Sequence, residues 1–246
     1  MLVLVYGFLI GVFISLMGGG GAAMYLGVLT SQLGIAMAVA APTSLIVAIP
    51  ALIFGCITQI RIHNVQFSLG NRMIVAAIPG ILVGTGVSPL IPDQIYDWVV
   101  GTILIVMGLI VVYRAFRPAQ HQVTGSARAW TAAGLGLLSG LMVGIGGLTG
   151  GGPTVAGLSI LGLNALSAAG TSTYVLSVMA VIGAVSHLFT GTIDWLAGIS
   201  LMVGSVIGAV ATPLVLHRFD LTKVSRWLTP IMGLVIVYFG VSIFLK

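Results

Sequence analysis

Long, uninterrupted apolar runs limit this chain more than any other feature. Segments such as "MLVLVYGFLIGVFISLM", "WVVGTILIVMGLIVVY" and "WLTPIMGLVIVYFGVSIFL" show none of the apolar and polar alternation that a membrane strand requires. Hydrophobic residues make up 59% of the chain and charged residues only 5%, far from the composition of a soluble domain. The sequence therefore predicts an all-α, polytopic α-helical membrane protein.

Short motifs of the first half return in the second half. "MGLIVVY" at 107–113 returns as "MGLVIVY" at 232–238, and "GILVGTGVSPL" at 80–90 matches "GSVIGAVATPL" at 204–214. The second pair keeps both glycines of a GxxxG motif. It also keeps a proline that follows serine in the first copy and threonine in the second. Such self-similarity at a nearly constant offset indicates an internal duplication.

The duplication divides the chain into two transmembrane repeats. We predict a first repeat at 1–116, a polar cytoplasmic linker at 117–129 and a second repeat at 130–246. Each repeat has three long apolar segments, preceded by a region that glycines interrupt. We expect about eight full spans, or ten helical elements when the short pieces are counted, and composition does not decide whether the short pieces are re-entrant.

The basic residues indicate how the two repeats are oriented. Eight of the nine lie in or beside three loops: Arg61, Arg72, Arg114, Arg117, Arg128, Arg218, Lys223 and Arg226. If the repeats have inverted topology, all eight fall on one face of the membrane, whereas a parallel arrangement divides them between the two faces. Because basic residues are enriched in cytoplasmic loops, we expect inverted repeats.

Two glycine clusters interrupt the apolar segments at matching places. The first is "SLMGGGGAAMY" and the second is "GGLTGGGPT". The separate GxxxG pairs (Gly7 and Gly11, Gly80 and Gly84, Gly136 and Gly140, Gly204 and Gly208) are typical of close helix packing. Adjacent glycines instead remove side chains all round a helix, so the clusters predict helix breaks.

A helix break inside a membrane exposes backbone groups, which is tolerated only beside a cavity or inside protein. A half-helix starting at Ala22 or Pro153 would point its free N–H groups and positive dipole end at the glycines, and proline suits a first helical turn. Such an end binds anions without a basic side chain. The chain has no glutamate, and its aspartates lie near loop ends, so we expect a site of backbone and neutral polar groups.

Polar residues at matching repeat positions complete the candidate site. The candidate substrate-binding residues are Gly18, Gly19, Gly20, Gly21, Thr43, Ser44, Gln59, Gly150, Gly151, Gly152, Thr171, Ser172 and His187. The hydroxyls have an alternative role, in which they bond their own helix carbonyls or cap a helix. His187 has the alternative of a structural histidine. Asp194 and Trp195 look like an interfacial helix start.

Several classes of function lack their residues in this sequence. Cys56 is the single cysteine, so there is no intrachain disulfide and no metal-ligand spacing, and we expect a small packing residue. The spans contain no paired carboxylates and no HExxH motif, which disfavours an intramembrane enzyme. The basic residues sit in loops and do not indicate nucleic acid. We predict no catalytic residues, cofactor or metal, and the oligomeric state stays open.

The second half carries a family resemblance. "GIGGLTGGGPT", the following "GTST" and above all "GAVSHLFTGTIDW" resemble the TauE/SafE sulfite exporter family, also called the toluene sulfonate uptake permease (TSUP) family. The resemblance covers nearly the whole chain. There are departures: the first cluster lacks the usual following proline, the second is longer than usual, and the family is often described with seven or eight spans.

The resemblance implies a transporter in the plasma (inner) membrane for small sulfur-containing anions such as sulfite, thiosulfate or organosulfonates. We expect a secondary transporter that works by alternating access, with a small anionic substrate and the lipid bilayer as its partners. A passive anion channel, a transporter of another small anion such as a carboxylate, and a subunit of a larger complex are the alternatives. Substrate, direction and energy coupling are not determined by the sequence.

Overall fold

A computed structural model describes residues 2–17, 23–116, 127–148, 150–163, 165–188, 192–216 and 221–244. Within these residues the chain forms ten α-helices and no strand, which confirms the predicted all-α class. The helices are α1 (Leu2–Met17), α2 (Ala23–Gly27), α3 (Met37–Arg61), α4 (Phe67–Val87), α5 (Asp93–Phe116), α6 (Ala127–Gly146), α7 (Gly151–Ile160), α8 (Ala165–Leu188), α9 (Trp195–Leu216) and α10 (Leu221–Phe244). A π-helical turn, Val28–Gln32, continues α2, and a 3₁₀ turn, Ser88–Leu90, follows α4.

Four of the described helices are long and apolar enough to cross a membrane. These candidate spans are Met37–Arg61, Phe67–Leu90, Arg128–Gly146 and Ser167–Leu188. Four shorter apolar helices accompany them: Leu2–Ile14, Trp98–Ile110, Trp195–Ala211 and Gly233–Phe244. Large apolar side chains such as Val75, Leu196 and Leu234 lie on the outside of the bundle, with 60–84% of their surface exposed. An apolar outer surface of this kind suits contact with the acyl chains of a bilayer.

Glycines bring α4 and α6 into backbone contact. A Cβ atom added to Gly136 would lie 2.8 Å from the Cα of Met73, and one on Gly144 would meet the backbone of Ile81. Contact points therefore advance in the same direction along both helices, so α4 and α6 run parallel. Their GxxxG motifs lie at this crossing, which confirms their predicted use in packing.

Helices α1 and α9 form a second crossing of the same kind. Gly7 and Gly11 pack on the backbones of Leu201 and Ser205, in that order. These two helices are therefore also parallel. As at the first crossing, a helix from the first half of the chain packs directly on a helix from the second half.

Two further pairs of long helices run antiparallel. Leu45 of α3 contacts Gly183 of α8, and Gly55 of α3 contacts Thr173 near the other end of the pair. Helices α5 and α10 are likewise antiparallel, with contacts between Gly101 and Gly240 and between Gly108 and Gly233. Helix α4 starts beside the start of α8, where Gly70 contacts Thr171, and α9 starts beside the start of α3, where Gly198 contacts Thr43. Helix α4 therefore runs parallel to α8, and α9 runs parallel to α3.

The short helices lie among the long ones. Helix α2 has four buried residues, and Tyr25 of this helix hydrogen-bonds to Ser205 of α9. Helix α7 packs on α6 and α8, where Gly157 lies against Leu135. The ten residues of α7 span about 15 Å at 1.5 Å per residue, which is half the thickness of a bilayer core.

Candidate functional site: the glycine break between α6 and α7

The chain stops and restarts its helix at residues 147–150, which we call the glycine break. Gly147 has a φ of +60° and Gly150 a φ of +64°, values that strain any residue with a Cβ. A Cβ on Gly147 would also lie 2.6 Å from the carbonyl carbon of Ala41 in α3. Glycine is therefore required here for two reasons, backbone conformation and close approach.

Side chains from three other helices hydrogen-bond to the backbone where α6 ends. The last carbonyl groups of a helix have no partner within it, and here they are buried. His187 of α8 hydrogen-bonds to the backbone of Val143 and Gly144. Tyr96 of α5 donates to the carbonyl of Ile145. Ser44 of α3 completes the set by donating to the carbonyl of Gly147, at 2.9 Å. The break is thus stabilised by residues that converge on it from α3, α5 and α8.

Helix α7 begins halfway through the bundle. Gly150 packs on Ser139 of α6, and the adjacent Gly140 packs on Ala77, the midpoint of α4. The Gly150 carbonyl accepts the first helical bond, from the Thr154 N–H at 3.3 Å. The N–H groups of the first turn have no partner within the helix, so they and the positive dipole end lie at mid-depth.

Hydroxyl groups fix the first turn of α7. The Thr154 hydroxyl bonds to the Gly150 carbonyl at 2.9 Å and to the Ser139 hydroxyl at 3.0 Å, and both side chains are fully buried. Pro153 lies in this turn, as the sequence predicts. Sequence reasoning missed Thr154, Ser139 and Tyr96, although Thr154 follows the glycine cluster directly. Nothing in the pattern around Tyr96 indicates its contact with α6.

His187 has one nitrogen without a partner. The side chain is 3% exposed, and its Nε2 makes no hydrogen bond although the ring is bonded to the α6 backbone. The expectation of a satisfied structural histidine therefore holds for only half of the ring. The remaining nitrogen is a polar group that a ligand can use.

Replacing Ser44 with alanine tests the support of the break. The change leaves the buried Gly147 carbonyl without its side-chain donor, so we expect a loss of about 1–3 kcal/mol in stability. Ser186→Ala is the control, because its hydroxyl bonds only to Ile182 in its own helix. Thermal unfolding in detergent should give a clearly lower melting temperature for Ser44→Ala. Equal melting temperatures would contradict the capping role.

The predicted threonines make matching hydrogen bonds between helices. The Thr43 hydroxyl donates to Val39 in its own helix and accepts from the Asp194 N–H at 3.1 Å. The Thr171 hydroxyl accepts from the Gln66 N–H at 2.9 Å. Each threonine thus holds the residue that precedes a long helix, α9 or α4. The Asp194 carboxylate also caps α9 by accepting from the Ala197 N–H, which confirms the predicted helix start.

The predicted site residues fall into two groups at different depths. Ser44, His187 and the second glycine cluster meet at the break. Gln59 lies about 22 Å from Ser44 along α3, at 1.5 Å per residue, and its side chain accepts from Asn64. Ser172, fully buried with an unpaired hydroxyl, lies with Thr171 at the Gln59 end of the bundle. Gly18, Gly19, Gly20 and Gly21 lie outside the described residues.

Comparison with known proteins gives a consistent family. The model of the family described as "Sulfite exporter TauE/SafE" matches residues 3–243. The probable membrane transporter protein YdhB of Bacillus subtilis (strain 168) is 26% identical over 214 residues, which cover 85% of this chain and 87% of the relative. The probable membrane transporter protein YunE of the same strain is 23% identical over 223 residues, 82% of either chain. No solved structure gives a significant match. The chain belongs to the sulfite exporter TauE/SafE family.

Proposed function

We propose that this protein is a secondary transporter of small sulfur-containing anions that works by alternating access. Its family and its relatives make it a multi-pass membrane transporter. The observation that carries the finer proposal is the start of α7 at mid-depth, where the N–H groups of Gly151 and Gly152 have no partner within the helix. Discontinuous helices whose N-termini point at an anionic substrate are typical of secondary transporters.

The chemistry of the break favours an anion over a cation. Its carbonyl end is already occupied by donors from Ser44, Tyr96 and His187, so few backbone acceptors remain for a metal ion. Its N–H end carries the positive pole of α7. Among the described residues, no cluster of three His, Cys, Asp or Glu side chains could hold a metal. We therefore place the anion against Gly150, Gly151 and Gly152.

The helix directions support a pair of inverted repeats. If α1, α3, α4 and α5 correspond to α6, α8, α9 and α10, each member of a pair points opposite to its counterpart. The interhelical contacts correspond as well, since α4 packs on α6 as α9 packs on α1. The hydrogen bond from Gln66 to Thr171 likewise corresponds to that from Asp194 to Thr43. We propose that all eight long helices span the membrane.

The correspondence between the two repeats also suggests a role for the first glycine cluster. We propose that Gly18, Gly19, Gly20 and Gly21 form a second break, with Thr171, Ser172 and Gln59 on its side of the bundle. Ser172 corresponds to Ser44, and its unpaired buried hydroxyl supports a partner there. The two breaks would then line one pathway from opposite halves of the membrane.

The moving bodies need not be the two halves of the sequence. The glycine crossings join α4 to α6 and α1 to α9, and both crossings connect the first repeat to the second through backbone contact. Contacts of this kind do not slide easily, because neither surface has flexible side chains. We propose that each crossed pair moves as a unit around α3 and α8, in place of the expected rocking of one repeat against the other.

The positions of basic residues support a plasma-membrane protein with a cytoplasmic linker. Arg61 ends α3, Arg72 lies in the first turns of α4, and Arg128 is the second residue of α6, which is parallel to α4. These three residues therefore share one face of the bundle, and we propose that the predicted linker 117–129 is on the same side of the membrane. The positive-inside rule makes it the cytoplasmic face.

Flux measurements test the proposal. Proteoliposomes should accumulate labelled sulfite or an organosulfonate with saturation and counterflow, and Gly151→Leu should abolish the flux by filling the N–H end of the break. Gly134→Leu is the control, since a Cβ there meets nothing within 4 Å. Flux that neither saturates nor shows counterflow would indicate a channel. Transport of a carboxylate in preference to sulfur anions, or unchanged flux in Gly151→Leu, would reject the assignment.

A further inference from the structure

The tautomer of His187 follows from its hydrogen bonds. The ring is bonded to the backbone of Val143 and Gly144, near the end of α6. The N–H groups of these residues are used inside the helix, so the groups that meet the ring are carbonyls, which only accept. The bonded nitrogen must then carry a hydrogen, and it is Nδ1, because Nε2 has no partner. In the neutral ring Nε2 therefore presents a lone pair.

Thr85, whose backbone packs on the same glycine, carries a second unpaired polar atom. This residue of α4 is 3% exposed, and its Oγ1 makes no hydrogen bond. Its backbone N lies 2.7 Å from the position of a Cβ on Gly144, the residue whose backbone bonds to His187. An unpaired buried polar group costs about 1–3 kcal/mol. Two residues beside one glycine, each with such a group, therefore support a ligand there.

Among the residues that the structure describes, no charged side chain is bonded to His187 Nε2. The contacts of the ring in the described part of the chain are with the α6 backbone at Val143 and Gly144. The Tyr96 hydroxyl of α5, which also reaches the break, donates to Ile145. Beyond the end of α8, Asp194 accepts from the Ala197 N–H at 3.0 Å. Since the described residues supply no donor to Nε2, a ligand that carries a hydrogen can supply one.

We propose that the substrate binds as a protonated anion, whose own hydrogen is donated to His187 Nε2 while the Thr85 hydroxyl donates to one of its oxygens. This inference rests on the proposed anion transport. The proton stays on the substrate and crosses with it, so neither a buried carboxylate nor a charged histidine is needed. Hydrogen sulfite meets this description, whereas methanesulfonate has the same charge and nearly the same size but no hydrogen to donate.

Competition in proteoliposomes tests the inference without any mutation. With labelled hydrogen sulfite at mildly acidic pH, methanesulfonate should inhibit about 10-fold more weakly than unlabelled hydrogen sulfite, the effect of one lost hydrogen bond of about 1.4 kcal/mol. His187→Leu should reduce this preference to near unity. Thr85→Val, which keeps the side-chain shape, should weaken both anions about equally. Ser186→Ala, next to His187, should keep the wild-type preference.

The outcomes separate this inference from the proposed function. If the wild type carries both anions with equal affinity, the proposed function stands and the protonated-anion inference is rejected. The inference is also rejected if Thr85→Val leaves both affinities unchanged and only raises the melting temperature, since Oγ1 would then be an unsatisfied structural group. If the wild type carries neither anion, both proposals fail. If His187→Leu does not fold, the wild-type competition and Thr85→Val decide.

Discussion

Gly140→Ala should largely abolish the folded protein, although it adds only one methyl group. That methyl would lie 2.8 Å from the Cα of Ala77, so α4 and α6 would have to separate along their whole crossing. Overpacking a core costs about 1–3 kcal/mol even where side chains can adjust. Here the opposing atoms are backbone, which cannot move alone. We expect the loss to exceed this range and the monodisperse fraction in detergent to collapse.

Gly134→Ala on the same helix is the matched control for Gly140→Ala. A Cβ on Gly134 meets nothing within 4 Å, so the helix gains about 1 kcal/mol of alanine propensity without a clash. Fluorescence-detected size exclusion after heating should give an unchanged or higher melting temperature for this variant. If both variants behave alike, the α4–α6 crossing is not the close backbone contact described.

Gly147→Ala should eliminate transport and most of the folded yield. The residue has a left-handed φ of +60°, which costs a non-glycine residue about 1–3 kcal/mol. Its Cβ would in addition overlap the backbone of Ala41, displacing α3 from the end of α6. Displacement of α3 would also remove the Ser44 hydrogen bond to the Gly147 carbonyl. The variant would therefore combine backbone strain at residue 147 with the loss of a hydrogen bond that caps α6.

Gly34→Ala separates the two costs at Gly147. Gly34 has a φ of +66°, yet a Cβ there meets nothing within 4 Å. This variant therefore introduces backbone strain without a steric clash. We expect a modest fall in melting temperature and no loss of labelled sulfite flux. An equally severe loss in Gly34→Ala would mean that strain alone explains the effect. A mild Gly147→Ala phenotype would contradict the contact between the break and α3.

Much of the candidate site could be located from the sequence, but not its bonding. Adjacent glycines followed by Pro153 identify the break, because no uninterrupted helix favours that composition. The structure brings Ser44 and His187, both predicted to bind substrate, to the break, but their contacts with α6 carbonyls could not be foreseen. Thr43 and Thr171 were grouped with them, whereas their hydroxyls hold the residues before α9 and α4.

The repeat pattern does not show how deep in the membrane a residue lies. Gln59 and His187 occupy aligned positions, and alignment suggested a common site. In the inverted arrangement that we propose, aligned positions lie at opposite depths, and Gln59 is accordingly at the far end of α3 from Ser44. The side chain of Gln59 pairs with Asn64 instead of reaching the described break.

By itself the sequence determined the helical membrane class, the positions of the helices and the place of the described break. These properties depend on local composition: apolar runs long enough for a bilayer, and glycine where a helix cannot continue. Only the tertiary structure decided that α4 packs on α6 and α1 on α9, and that Tyr96, Ser44 and His187 meet one helix end. A GxxxG motif specifies a smooth surface without naming its partner, and a buried carbonyl accepts any donor that the packing of distant helices brings to it.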